Sequence, residues 1–70
     1  MQEVKSSNIH AIGHEDGTLK IQFKDKAGGP GTTYHYPDVP ASVHADLMAA
    51  ESHGKHFLAH VRPHYKGEKQ

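Results

Sequence analysis

Eight of the 70 residues are histidine, and four of them, His53, His56, His60 and His64, lie in the last 18 positions. Imidazole is the commonest protein ligand for transition metals and the side chain that most readily changes charge near neutral pH. At about 100° per residue these four fall within roughly 80° of one helical arc, provided a helix runs that far. Pro63 stops such a helix before His64. His56 and His60, at i and i+4, can reach one metal ion together, as paired imidazoles do in helical zinc sites. The residues between them are Phe57, Leu58 and Ala59, so no glutamate completes a H-E-x-x-H arrangement. No acidic residue close in sequence supplies a third ligand. His56 and His60 are therefore a weak metal candidate, and the plainer reading is a polar helix face. No cofactor is expected.

Catalysis by a nucleophile has slender support. Ser6, Ser7, Ser42 and Ser52 are present, but none stands in a G-x-S-x-G elbow. The Gly28-Gly29-Pro30-Gly31 stretch lacks the spacing of a phosphate loop and precedes no helix, so it reads as a flexible hairpin connection. The chain is read as a non-enzyme. Tyr34 and Tyr36, at i and i+2 with His35 between, share one face of a strand. Facing outward they would form a stacking platform for bases. Facing inward they belong to the core, which is the side the alternation favours, because Thr33 and His35 are the more polar partners.

The elements that must position these residues follow from periodicity. Ile9 and Ile12 lie in a first strand over about 8–14, with Asp16-Gly17 as a hairpin turn. Residues 18–24, TLKIQFK, alternate Leu19, Ile21 and Phe23 with Lys20, Gln22 and Lys24, a half-buried strand with one wet face. TTYHY over 32–36 is a third strand, ended by Pro37. Pro40 opens a helix over 40–50, with Asp38 near its positive dipole end and Val43, Leu47 and Ala50 on its apolar stripe. Ser52 caps a second helix over about 52–62 whose apolar face is Phe57, Leu58 and Val61. Residues 66–70 read as a frayed tail. The fold class is α+β: a three-stranded antiparallel β-meander followed by two short helices packed on one face, in a single domain with its core at about 3–65.

Formal net charge is zero, but the halves differ. Up to residue 52, four lysines face seven acids, a net of −3; from His53 onward, Lys55, Arg62, Lys66 and Lys69 face Glu68 alone, a net of +3. An electropositive end is a mild pointer to an anionic partner. The absence of cysteine excludes disulfides and thiolate metal sites. No apolar run approaches the roughly 20 residues that span a bilayer, and the N-terminus lacks a signal-peptide stretch. No membrane association and a cytoplasmic location are expected.

Several of these signals recur together elsewhere. The Ser6-Ser7-Asn8-Ile9 segment, Ile12-Gly13, the L-x-I-x-F strand (Leu19, Ile21, Phe23), the Y-x-Y pair (Tyr34, Tyr36), Val39-Pro40 and the S-x-G-x-x-F segment (Ser52, Gly54, Phe57) resemble the KTSC domain in order and spacing. That family takes its name from the C-terminus of some lysyl-tRNA synthetases and also occurs as free-standing small bacterial and phage proteins. The resemblance implies a small binding module, and an RNA-binding role has been suggested for the family from the synthetase context. It places the family's polar signature on Ser6, Ser7, Asn8, Tyr34, Tyr36, Ser52, Gly54, Arg62 and Tyr65. His14, His44 and His56 stand where the family often has tyrosine, and the 25–31 loop is longer than the usual turn.

The expected RNA contacts are Ser6, Ser7, Asn8, Tyr34, Tyr36, Lys55, Arg62, Tyr65 and Lys66. Ser7, Asn8 and Arg62 are expected to meet in space as an anion-recognising group, with pairing of Arg62 to Glu3 as the alternative. The alternative function is a protein-interaction module that docks on a host enzyme or self-associates through an edge strand.

Overall fold

The computed structural model describes residues 1–70. Five strands form one antiparallel sheet in sequence order: β1 (Gln2–Glu3), β2 (Ile9–Glu15), β3 (Thr18–Lys24), β4 (Pro30–Tyr36) and β5 (Glu68–Lys69). Helix α1 (Ala41–Ala49) follows β4, and helix α2 (His53–His56) runs on into a π-helical turn at Phe57–Val61. The α+β meander with two short helices is thus present, in a sheet wider by two edge strands. The tail does not fray: Glu68 and Lys69 pair with His35 and Tyr34, and Gln70 N–H donates to Thr33 O at 2.9 Å.

Asp16 (φ 51°) and Gly17 (φ 76°) both occupy the left-handed region between the paired Glu15 and Thr18. That is the two-residue turn whose twist matches the flanking strands. Ile9 and Ile12 both reach the core despite their odd spacing, because the β2–β3 register shifts between Ile9 and Ala11. An extra residue at His10 returns Ile12 to the face that Ile9 occupies. Leu19 and Ile21 line the same face opposite Tyr36 and Tyr34.

Ile9, Ile12, Leu19, Ile21, Tyr36, Val39, Leu47, Phe57 and Val61 form the buried cluster between sheet and helices. Helix α1 begins one residue later than Pro40, which stands at its N-cap without a side-chain cap bond. Asp38 does not serve that helix end; it sits in a left-handed turn at φ 60°. Ser52 caps α2 by accepting a hydrogen bond from Lys55 N–H at 3.3 Å. No helix is long and apolar enough to cross a membrane.

Candidate functional site

One cavity, of about 580 Å³, opens where the far end of the β3–β4 hairpin meets the π-helical turn. Phe23, Tyr34, Tyr36 and Phe57 give it aromatic walls, Asn8 and Thr32 add polar atoms, and Arg62 and Leu58 stand on the helical side. The rings lock one another edge to face. Phe57 meets Phe23 at 5.5 Å and 72°, and Tyr36 at 5.5 Å and 73°; Phe23 meets Tyr34 at 5.7 Å and 79°. Such T-shaped contacts are the arrangement that ring quadrupoles favour.

Local backbone features hold these walls. The β3–β4 register shifts between Gln22 and Lys24, with Gln22 opposite Thr33 and Lys24 opposite Pro30. Pro30 and Gly31 are therefore strand residues, and the loop between the strands is shorter than the 25–31 expected. It is not loose either: Asp25 Oδ1 accepts from Ala27 N–H at 2.9 Å and Gly29 N–H at 2.8 Å. On the opposite wall, Lys24 N–H donates to Asn8 O at 2.8 Å, which fixes the entry of β2 beside the hairpin. The Asn8 side chain lies against Gly54 of α2. Ser6 organises this entry: its Oγ donates to Asn8 Oδ1 at 3.2 Å and accepts from Ile9 N–H at 3.3 Å. Three residues beyond Gly54, Phe57 forms the cavity's inner wall.

Arg62 lies at the end of the π-helical turn, where its N–H donates to Phe57 O at 3.0 Å. Its guanidinium takes no part in the chain's two ion pairs, His10–Glu3 at 3.7 Å and Lys20–Glu15 at 3.4 Å. The expected alternative of an Arg62–Glu3 pair is thereby corrected: Glu3 sits in the edge strand β1 and faces His10 across it. Burial pushes the Tyr36 phenol above its ordinary range, Tyr34 adds to the rise, and the nearby Arg62 charge draws it back.

Of the residues singled out from sequence, the cavity gathers Asn8, Tyr34, Tyr36 and Arg62. It leaves out Ser6, Ser7, Lys55, Tyr65 and Lys66. Ser7 is exposed and does not join Asn8 and Arg62; Lys55 and Lys66 are exposed elsewhere; Tyr65 is half-buried against the core. Tyr36 is 6% exposed, so the two tyrosines face inward and do not make an outward stacking platform. Phe23, Phe57, Leu58, Thr32 and Gly31 belong to the site without having been expected there. Leu58 lies on the expected apolar face yet is 48% exposed, while Phe57 and Val61 of that face are buried.

The histidines lie outside the cavity. His56 and His60 lie against each other with ring centroids 4.5 Å apart and planes tilted by 39°, and no group of three or more metal-ligating side chains forms around them. The weak metal reading thus lacks its third ligand. His14 and His44 also stack, at 5.4 Å, and His14 Nε2–H donates to Val39 O at 2.7 Å. His53 Nδ1–H donates to Leu47 O at 2.8 Å and ties α2 to the end of α1.

Comparison with known proteins agrees with this architecture. The family model described as KTSC domain matches residues 5–65. A curated protein from Tsukamurella paurometabola, named only as a protein, is 38% identical over 68 residues and aligned over 94% of each chain. The crystal structure of a KTSC domain protein from Yersinia pestis superposes with a TM-score of 0.85 at 35% identity, covering 99% of this chain and 93% of that one.

Proposed function

The chain belongs to the KTSC domain family, and we propose that it is a non-catalytic binding module whose partner is RNA. The observation that carries this reading is Arg62, an unpaired guanidinium beside an aromatic-walled cavity. A planar, permanently charged fork suits phosphate, and aromatic rings suit the faces of unstacked bases. The exposed Lys55 and Lys66 lie in the +3 C-terminal segment and add attraction for a polyanion. The reading as a binding module is supported by a lining that holds no histidine and by Asp25 Oδ1, which accepts two backbone N–H groups of its own turn.

Titration of labelled single-stranded RNA at several salt concentrations tests the reading. Affinity should fall as salt rises, and Arg62→Ala should reduce the slope of log K against log salt by about 0.7, the value for one phosphate contact on a single strand. A slope unchanged in Arg62→Ala removes Arg62 from the site, and no measurable binding by the intact chain removes the function.

Leu58 favours a second reading. Its large apolar side chain, 48% exposed beside the cavity, leaves apolar surface in water that a protein partner would cover. A protein partner would co-purify from lysate after nuclease treatment, tolerate added salt, and be lost with Leu58→Asp.

A further inference from the structure

We propose, resting on the RNA-binding reading above, that the cavity takes a single nucleotide. Its base lies against Phe23 and Tyr34, the two lining rings that keep surface, and Arg62 holds its phosphate.

Size favours one nucleotide over a run of them. A cavity of about 580 Å³ falls within the range of sites for small organic ligands. It is one pocket on a body of 31 × 26 × 21 Å, not a channel along the sheet. The aromatic geometry agrees. A sheet that reads successive bases needs successive exposed rings. Here Tyr34 and Tyr36 are neighbours with centroids 6.5 Å apart, but Tyr36 is 6% exposed and pinned edge-on by Phe57. Tyr34 alone of the pair keeps appreciable surface.

The polar groups divide by the part of a nucleotide they suit. Among the charged lining residues, Lys24 and Arg62 are opposed by Asp25, whose Oδ1 already accepts two backbone N–H bonds. A guanidinium free of carboxylate partners can make two parallel hydrogen bonds to phosphate oxygens. Asn8 Oδ1 accepts from Ser6 Oγ, which leaves the Asn8 Nδ2 protons for an acceptor on a base edge. Thr32 offers a hydroxyl on the same rim. A flat apolar body, an acceptor edge and an anionic tail is the chemistry of a nucleoside monophosphate.

The test is a chemical-shift titration of the ¹⁵N-labelled full chain with nucleoside 5′-monophosphates, the matching nucleosides, inorganic phosphate, and a short single-stranded RNA. The proposal expects a monophosphate to shift the amides of Asn8, Gly31, Leu58 and Arg62 and to displace the RNA. The nucleoside should bind about tenfold more weakly, the loss of one charge-assisted contact, and inorganic phosphate, which keeps that contact but lacks the base, should also bind more weakly than the monophosphate. Arg62→Ala should bring the monophosphate down to the nucleoside's affinity, and Arg62→Lys should fall between, because it keeps charge without the fork. Arg62 is exposed, so its replacement leaves the fold intact, which the remaining amide shifts report. RNA binding that no monophosphate competes with overturns the single-nucleotide proposal and leaves the RNA function standing. Monophosphate and nucleoside binding equally well overturns the role of Arg62. Failure of both RNA and monophosphate to bind overturns the function itself.

Discussion

Gly31 lies hard against the backbone of Phe23: a Cβ on Gly31 would stand 2.8 Å from the Phe23 carbonyl oxygen and 3.0 Å from Asp25 N. These neighbours are backbone atoms and cannot swing away as a side chain can. The close approach is the product of the extra residue that β4 carries opposite Gln22–Lys24, and it closes one wall of the cavity. Gly31→Ala must push β3 and β4 apart. It should cost about 1–3 kcal/mol, the usual range for overpacking, measured by urea denaturation. Stability equal to that of the unmodified chain would show that the hairpin relaxes without strain.

A second glycine behaves differently because its neighbour is a side chain. A Cβ on Gly54 would meet Asn8 Oδ1 at 2.5 Å, Asn8 Cγ at 3.3 Å and Asn8 Nδ2 at 3.4 Å. Gly54→Ala gains helix propensity, worth about 0.8–1 kcal/mol in a helix interior, but must displace Asn8 from the cavity wall. In an Asn8→Ala background that obstacle is gone. A double-mutant cycle should therefore show Gly54→Ala more favourable by about 0.5–1 kcal/mol when Asn8 is already alanine. Additive effects, within error, would mean that Asn8 moves freely and does not hold the wall.

These two glycines mark how far local sequence patterns specify the site. The strand at 18–24 was legible because Leu19, Ile21 and Phe23 alternate without interruption. The strand before it showed no clean alternation because its irregularity at His10 puts Ile9 and Ile12 on one face at an odd spacing. Gly54 and Phe57 stood out as part of a family-like segment, yet nothing in their spacing said that Asn8 would pack between α2 and the hairpin. Gly31 read as loop because glycine and proline argue against a strand; a register shift accommodates both. The tail looked frayed for lack of apolar residues. Its pairing is set by the edge of β4, which no local pattern in 66–70 can reveal. Arg62 stood out through the family-like polar signature, whereas the aromatic cluster beside it is assembled from three separate elements.

The stacked pair His14 and His44 makes stability depend on pH. Burial lowers the His44 pKa below its ordinary value, and the neighbouring His14 lowers it further. The folded chain thus resists protonation at His44, while the unfolded chain accepts a proton near the usual value of about 6.5. The contribution is complete above that value and is lost as pH falls from there through the lower folded pKa. The melting temperature should drop between about pH 7.5 and pH 5.5, and His44→Phe should show a smaller drop over the same interval. Equal drops in both proteins would assign the pH dependence to other groups.

The C-terminal strand rests on one more close approach. A Cβ on Gly67 would stand 2.5 Å from Tyr36 Cε2 and 2.9 Å from the Tyr36 hydroxyl oxygen, so the chain at Gly67 covers the ring that walls the cavity. From there Glu68 and Lys69 pair with His35 and Tyr34. Tyr36 belongs to the core and is held by Phe57, so it cannot yield easily to a methyl group. The two-residue strand has little to hold it otherwise, and short edge elements open at low free-energy cost. Gly67→Ala should therefore lift β5 away and leave the meander in place. Hydrogen exchange at Gln70, whose N–H donates to Thr33 O, reads this directly. Its protection should be lost, while Ile12 and Ile21, deep in the sheet, keep theirs. Protection retained at Gln70 would show that the Tyr36 ring shifts instead, and the change would then appear in the amide signals of the cavity residues Tyr34 and Phe57.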